Sequence, residues 1–265
     1  MYDSFNRGIS YLRVSVTDKC NLRCTYCMPE EGIPKRGHSD MMTFESLTEI
    51  VKAAVGLGIT KVRLTGGEPL VKKGIVELTA MLRSVEGLNL LCMTTNGTLL
   101  KAFARDLRRA GLDSINVSLD TMDAGRYSRL TRGGLIDDVL EGIFAAKAEG
   151  FPVKINTVVL PDTHPDELER VKAFCSGNNL AHQLIRGFSL TEEKLTNVDY
   201  HRPGACGDCN RIRLLSDGIL KPCLHSDVEI PVDMTNPRES LIQAVLAKPL
   251  SGSVCQARTM MEIGG

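Results

Sequence analysis

Apolar residues recur along this chain in two alternating rhythms. Tyr11–Thr17 (YLRVSVT), Lys61–Thr65 (KVRLT), Asn89–Thr95, Ser114–Leu119 and Val153–Leu160 (VKINTVVL) are short β-rich runs, which predicts strands. A weaker sixth strand is predicted at Ala181–Arg186. The segments between them carry apolar residues at helical spacing. In Phe44–Leu57 the residues Leu47, Ile50, Val51, Ala54 and Val55 form one stripe, with Thr43 and Ser46 placed to cap its start. Ala102–Ala110, Ile136–Ala148 and Pro165–Phe174 behave in the same way. Strand–helix alternation at about 30 residues per unit predicts an α/β fold, with a parallel sheet covered by helices, either open or a partial barrel.

The pattern changes after Gly187. A polar stretch, Ser189–Tyr200, leads to Cys206–Cys209 and then to Ile212–Leu215 and Ile219–Leu220 around Asp217-Gly218, which predicts a small hairpin. A short helix is expected at Glu239–Leu246, before a tail ending in Gly264-Gly265. The expected division is therefore a barrel over residues 1–187 and a C-terminal module over 188–265.

The chain has 265 residues, with 32 Lys+Arg against 32 Asp+Glu, so its formal charge is zero. Such a balance argues against a general nucleic-acid or membrane-surface binder, which needs a positive field. No apolar run has the length of a membrane span and Met1–Ser10 lacks a signal-peptide core, so the expectation is a cytoplasmic protein. Nine cysteines in such a chain read poorly as a disulfide framework. Six of them fall into two tight groups, as metal-binding thiols do; Cys92, Cys175 and Cys255 fit as small buried hydrophobes.

The first group, Cys20, Cys24 and Cys27, is a C-x3-C-x2-C run just after a predicted strand. Three thiolates this close can hold three corners of a [4Fe–4S] cubane and leave one iron open. Ferredoxin clusters use four cysteines at other spacings, and zinc prefers closed four-coordinate sites, for which His38 is the nearest histidine. The run TDKCNLRCTYCMP resembles the cluster motif of radical S-adenosylmethionine (SAM) enzymes. That resemblance implies an open iron that binds SAM, whose reductive cleavage gives a 5′-deoxyadenosyl radical that abstracts a substrate hydrogen. Thr65-Gly66-Gly67-Glu68-Pro69 resembles the same family's SAM-binding motif, and glycines let a ligand approach the backbone closely. By the same resemblance Tyr26, Gly66, Gly67, Glu68, Ser118 and Asn156 are expected to bind the cofactor.

The second group, Cys206-x2-Cys209-x13-Cys223, again has three thiols. From spacing alone, a zinc site completed by His201 or His225 and an iron–sulfur cluster stand even. The residues Cys209-Asn210-Arg211-Ile212-Arg213 resemble the CxxCxRxR signature of the GTP 3′,8-cyclases of molybdenum-cofactor biosynthesis, and Gly264-Gly265 matches the diglycine tail of that family. This resemblance implies a partial (β/α)6 TIM-like barrel of the radical SAM type with a small C-terminal cluster-binding hairpin module. It also implies two [4Fe–4S] clusters, SAM, and conversion of GTP to (8S)-3′,8-cyclo-7,8-dihydroguanosine 5′-triphosphate. The partners it implies are a reductant such as flavodoxin or ferredoxin and a downstream pterin-forming enzyme, with a homodimer left open.

Strand periodicity adds a separate argument. Lys61 and Arg63 share one face, as do Lys154 with Asn156, Arg211 with Arg213, and Arg13 with Ser15 and Thr17. With Val14, Val16, Val62 and Leu64 turned to outer helices, the charged set lines the lumen, where cations need anionic partners such as a triphosphate. Carried over by position, Arg13, Arg63, Thr94, Lys154, Arg211 and Arg213 match the family's GTP-binding residues, with Lys61, Gly264 and Gly265 beside them. Arg211 and Arg213 are also expected to act catalytically, in resolving the cyclised radical. The chain is shorter than the family pattern between Arg186 and Cys206 and after Cys223. In place of a FIEFMP-like segment, whose methionine contacts SAM, stands Gln183–Phe188, with Gln183 or Arg186 as its replacement. Two rival readings follow from the residues: an auxiliary cluster serving a peptide or another small molecule, and a regulatory protein with structural zinc.

Overall fold

The computed structural model describes residues 1–32, 41–192 and 205–264; His38, His201 and Gly265 lie outside them. Six parallel strands form the main sheet: β1 (Tyr11–Ser15), β2 (Lys61–Thr65), β3 (Leu90–Thr95), β4 (Ser114–Ser118), β5 (Val153–Val159) and β6 (Ala181–Arg186). Strand β7 (Arg211–Leu214) pairs in parallel with β1, and β8 (Ile219–Lys221) and β9 (Ile230–Pro231) follow antiparallel. The order β6-β5-β4-β3-β2-β1-β7-β8-β9 leaves β6 and β9 at opposite edges, so the barrel is partial.

Among the described residues seven helices lie on the outer side and a short eighth lies against the cavity. They are α1 (Phe44–Gly56), α2 (Ile75–Arg83), α3 (Leu100–Arg109), α4 (Ala124–Thr131), α5 (Ile136–Ala148), α6 (Pro165–Gly177), α7 (Pro237–Leu246) and α8 (Met260–Ile263). Helix α1 starts where its sequence indicates, with the Thr43 hydroxyl accepting from the Ser46 amide at 3.2 Å. Leu12, Val14, Val62, Leu64, Leu91, Ile115, Val117 and Ile155 alternate along their strands and are fully buried in one core cluster with Ile50, Leu78, Leu107 and Val139 of the helices. Hydrophobic burial on that side leaves the other strand face to polar residues.

Helices α2 and α4 have no counterpart in the hydrophobic pattern. Helix α2 follows a 3-10 turn (Pro69–Val71) and starts at Gly74, which offers no side-chain cap. Helix α4 is eight residues of mixed polarity, set off by the Asp123 cap. The hairpin turns at Gly218, whose φ of +81° suits glycine. Cys92, Cys175 and Cys255 are buried, and no cysteine forms a disulfide. Among the described residues no helix is long and apolar enough to cross a membrane.

Candidate active site

The polar strand faces, the cysteine loop and the C-terminal segment enclose one cavity of about 950 Å³. Its lining includes Cys20, Cys24, Tyr26 and Cys27 together with Cys209 and Cys223. Arg13, Lys61, Arg63, Gly66, Gly67, Thr94, Ser118, Lys154, Asn156, Arg211, Arg213 and Gly264 line it as well. Cys206 and Glu68 are not part of that lining, and Gly265 lies outside the described residues.

The register explains how the cations converge. Arg13 stands beside Arg63 on one side and Arg213 on the other, and Tyr11 stands beside Lys61 and Arg211. Parallel pairing in register stacks these residues into two cross-strand rows on the lumen face. Like charges so close repel, and each row is partly relieved by local acceptors. The Arg63 guanidinium donates to the Tyr11 hydroxyl and the Met93 carbonyl, both at 2.9 Å. Arg13 donates to the Gly264 carbonyl at 3.0 Å. Burial opposes ionisation of the Tyr11 phenol, but Arg13, Arg63 and Lys61 together hold it below its ordinary pKa. Arg213 keeps one buried guanidinium nitrogen, Nη1, with no hydrogen-bond partner. Burial first, and then Arg13, lowers its pKa to about 9, whereas Cys223 and Cys209 act the other way. A buried unpaired donor on a cavity wall is costly unless a ligand meets it.

The first cysteine loop is held by short-range contacts. Cys27 and Met28 both donate their amides to the Cys24 carbonyl at 3.0 Å, which coils the thiols together. The Arg23 and Thr25 amides donate to Thr131 and Leu130 at the end of α4, and Arg132 reaches the Arg23 and Met28 carbonyls. The Tyr26 hydroxyl donates to Asp120 at 2.6 Å, and the Val158 amide donates to the other oxygen of that carboxylate. Burial pushes the Cys27 thiol up to about 12, and Cys20 and Asp120 add to the shift. Burial and then Cys27 likewise raise Cys24. The three thiols therefore repel one another as thiolates, which is a site that gains from a cationic metal centre.

Gly66 and Gly67 seat this loop on the end of β2. A Cβ on Gly66 would lie 2.5 Å from the Thr17 carbonyl oxygen, and one on Gly67 would lie 2.3 Å from that of Lys19. The close approach needed here is by the chain's own backbone, and the Gly67 amide donates to Thr17 at 2.8 Å. Glu68 points away from the cavity and accepts from Leu70 N, Thr95 Oγ1 and Asn96 N. Burial raises its pKa to about 7 against those three donors. It braces the glycine turn against the end of β3.

Three features are absent from the sequence reading. Asp120 orients Tyr26. Met260 and Met261 of α8 line the cavity, and Met261 Cε sits 2.8 Å from where a Gly67 Cβ would be. Arg258 locks the C-terminal segment in place by donating to both Glu229 oxygens and to Asp217, at 2.7–2.8 Å. None has a local sequence signal, because each partner is far along the chain. Gln183 and Arg186 do line the cavity.

Residues 14–175 match the radical SAM superfamily model. The GTP 3′,8-cyclase of Peptoclostridium acidaminophilum is 42% identical over all of this chain and 98% of that protein. The GTP 3′,8-cyclase of Alkaliphilus oremlandii is 40% identical over 94% of this chain and 92% of that protein. The first alignment runs to 321 residues against 265 here, so that relative carries segments this chain lacks. Among solved structures, Streptococcus suis SuiB bound to S-adenosylmethionine superposes with a TM-score of 0.71, at 16% identity over 92% of this chain and 67% of that one. Its likeness is one of fold. The cofactors of this chain are accordingly SAM and a [4Fe–4S] cluster, and the coiled, mutually repelling thiols of Cys20, Cys24 and Cys27 fit the cluster. Among the described residues no three His, Cys, Asp or Glu side chains converge on a single-ion position. Thiols that each bind a different iron stand further apart than the ligands of one ion. The chain belongs to the radical SAM superfamily and, within it, to the family of the GTP 3′,8-cyclases.

Proposed function

We propose that this enzyme converts GTP to (8S)-3′,8-cyclo-7,8-dihydroguanosine 5′-triphosphate in molybdenum-cofactor biosynthesis, with the barrel of residues 1–187 generating the radical and residues 188–265 holding a second [4Fe–4S] cluster. The observation that carries this reading is the double row of cations in one cavity with thiols of both groups, joined to 42% identity with a GTP 3′,8-cyclase over the whole chain. Cys20, Cys24 and Cys27 would hold the first cluster, which with SAM would supply the carbon-centred radical chemistry that removes the ribose 3′ hydrogen.

The protein's own residues bind, orient and exclude water. Tyr26, Gly66, Gly67, Ser118 and Asn156 surround the SAM position, with Glu68 bracing the turn from behind. Arg13, Lys61, Arg63, Thr94 and Lys154 offer fork and point donors to a triphosphate. The uncommitted Nη1 of Arg213, with Arg211 beside it, faces the guanine end and holds a proton donor against the ring as the C3′–C8 bond forms. Gly264 closes the cavity near Arg13. Cys206, Cys209 and Cys223 would hold the second cluster, which would offer an iron to the substrate. Positioning and exclusion of water are the protein's main contributions to such chemistry. A flavodoxin- or ferredoxin-type reductant supplies electrons, a pterin-forming enzyme takes the product, and the reaction is cytoplasmic.

Anaerobic incubation of iron-reconstituted protein with GTP, SAM and dithionite tests the reading. The expected result is one cyclised nucleotide per 5′-deoxyadenosine formed. SAM cleavage without cyclised nucleotide, and with none of the binding of GTP expected in equilibrium dialysis, overturns it.

A further inference from the structure

The segment Lys248–Ser253 packs at Cys223 and is tied to the chain beside Cys209 and, through Arg7, to Cys206. Lys248 is only 2% exposed, and its ammonium donates to the carbonyls of Arg211 and Pro222, both at 2.9 Å. Arg211 is two residues after Cys209, and Pro222 directly precedes Cys223. Cys206 is reached through Arg7, whose guanidinium donates to the Cys206 and Leu250 carbonyls at 2.9 Å and to Pro249 at 2.6 Å, while Asp3 holds its Nε. The Ser253 amide donates to the His225 carbonyl at 2.9 Å. Gly252 packs so closely that a Cβ there would lie 3.1 Å from Cys223 Sγ.

The charges matter as much as the geometry. Arg7 has Asp3 as its counter-ion, but among the described residues Lys248 is held by carbonyls alone. A buried ammonium with no carboxylate is costly to bury, so its two carbonyl partners are held tightly to it. Carbonyl acceptors also use only two of its three N–H groups.

We propose that Lys248 is a positioning residue for the second metal centre: its buried ammonium clamps the Cys209 and Cys223 arms together. This rests on the reading of Cys206, Cys209 and Cys223 as cluster ligands. The clamp itself is a property of the metal-free chain, so the two can fail separately.

Two measurements on full-length protein test it. In metal-free protein, iodoacetamide labelling of each cysteine is followed by mass spectrometry. Lys248→Met should speed labelling of Cys209 and Cys223 at least tenfold and leave Cys20, Cys24 and Cys27 unchanged, and Lys248→Arg should restore slow labelling. Unchanged rates at Cys209 and Cys223, or a general rise that includes the buried Cys92 and Cys175, overturns the clamp. The second measurement is iron uptake in a background lacking the thiols of Cys20, Cys24 and Cys27. Adding Lys248→Met should remove most of that iron and alter the low-temperature electron paramagnetic resonance signal, with Lys248→Arg recovering both. Full iron with an unaltered signal overturns the positioning role. If the background protein itself takes up no iron, the cluster reading of the second group falls while the labelling result still decides the clamp.

Discussion

The two thiol groups differ in how they are built. Cys20, Cys24 and Cys27 sit on one eight-residue loop, coiled by its own amides and clasped by the neighbouring α4. Cys206, Cys209 and Cys223 are separated by a hairpin and held by Arg7 from one end of the chain and Lys248 from the other. Their electrostatics differ in the same direction. Asp120 lies near the first group and raises Cys24 and Cys27 together with burial, whereas Arg213 and Lys248 stand beside the second. The first group therefore has a carboxylate for a neighbour, whereas the second has cations. A local site can be rebuilt wherever its loop goes, but a long-range site depends on the pairing of β7 with β1.

The largest test of that contrast is removal of a thiol from each group. Cys24→Ala should bring SAM cleavage to background, because no neighbour replaces a lost ligand in so short a loop. Cys223→Ala should leave SAM cleavage within about threefold of the parent while cyclised nucleotide disappears, since the first group needs nothing from the hairpin. Product analysis for 5′-deoxyadenosine and cyclised nucleotide reads both. Loss of SAM cleavage in Cys223→Ala would erase the separation between the groups.

Next in size is Arg213. Arg213→Ala should lower kcat/KM for GTP about ten- to a hundredfold, or about 1.4–2.8 kcal/mol, by deleting a charge-assisted donor. SAM affinity, measured by equilibrium dialysis, should not change.

Glu68 gives a test of another kind, one that concerns stability only. Its carboxyl has a pKa raised by burial to about 7. A raised folded-state value stabilises the fold fully below the unfolded value near 4.5 and loses that contribution as pH climbs through about 7. Urea midpoints of the metal-free protein should therefore fall more steeply over that window than those of Glu68→Gln, by an amount on the order of 3 kcal/mol across it. Parallel pH profiles would contradict the assignment.

What the sequence makes legible follows the same division. The strands that carry Arg13, Arg63 and Lys154 are readable because alternation has period two and one face is covered by α1, α2, α3 and α5. Cys20, Cys24 and Cys27 are readable because ligand spacing is local. Gly66 and Gly67 stand out as a motif, yet the backbone they admit belongs to Thr17 and Lys19, a contact that only folding creates. Asp120, Met261, Arg258 and Lys248 are invisible beforehand for one reason: their meaning lies in partners scores of residues away. The methionine packed at Gly67 comes from α8 and not from Gln183–Phe188, because the C-terminal segment folds back over the cavity under the hold of Arg258 on Glu229 and Asp217.

Central to the account is that the second group, like the first, offers three protein ligands and leaves one iron for the substrate. Mössbauer and electron–nuclear double resonance spectra of oxygen-free protein lacking the Cys20, Cys24 and Cys27 thiols address this directly. The account predicts about four irons per chain in one [4Fe–4S] cluster, with hyperfine coupling to guanine nitrogen once GTP is added. One zinc per chain, or a cluster with a fourth protein ligand and no response to GTP, would contradict it.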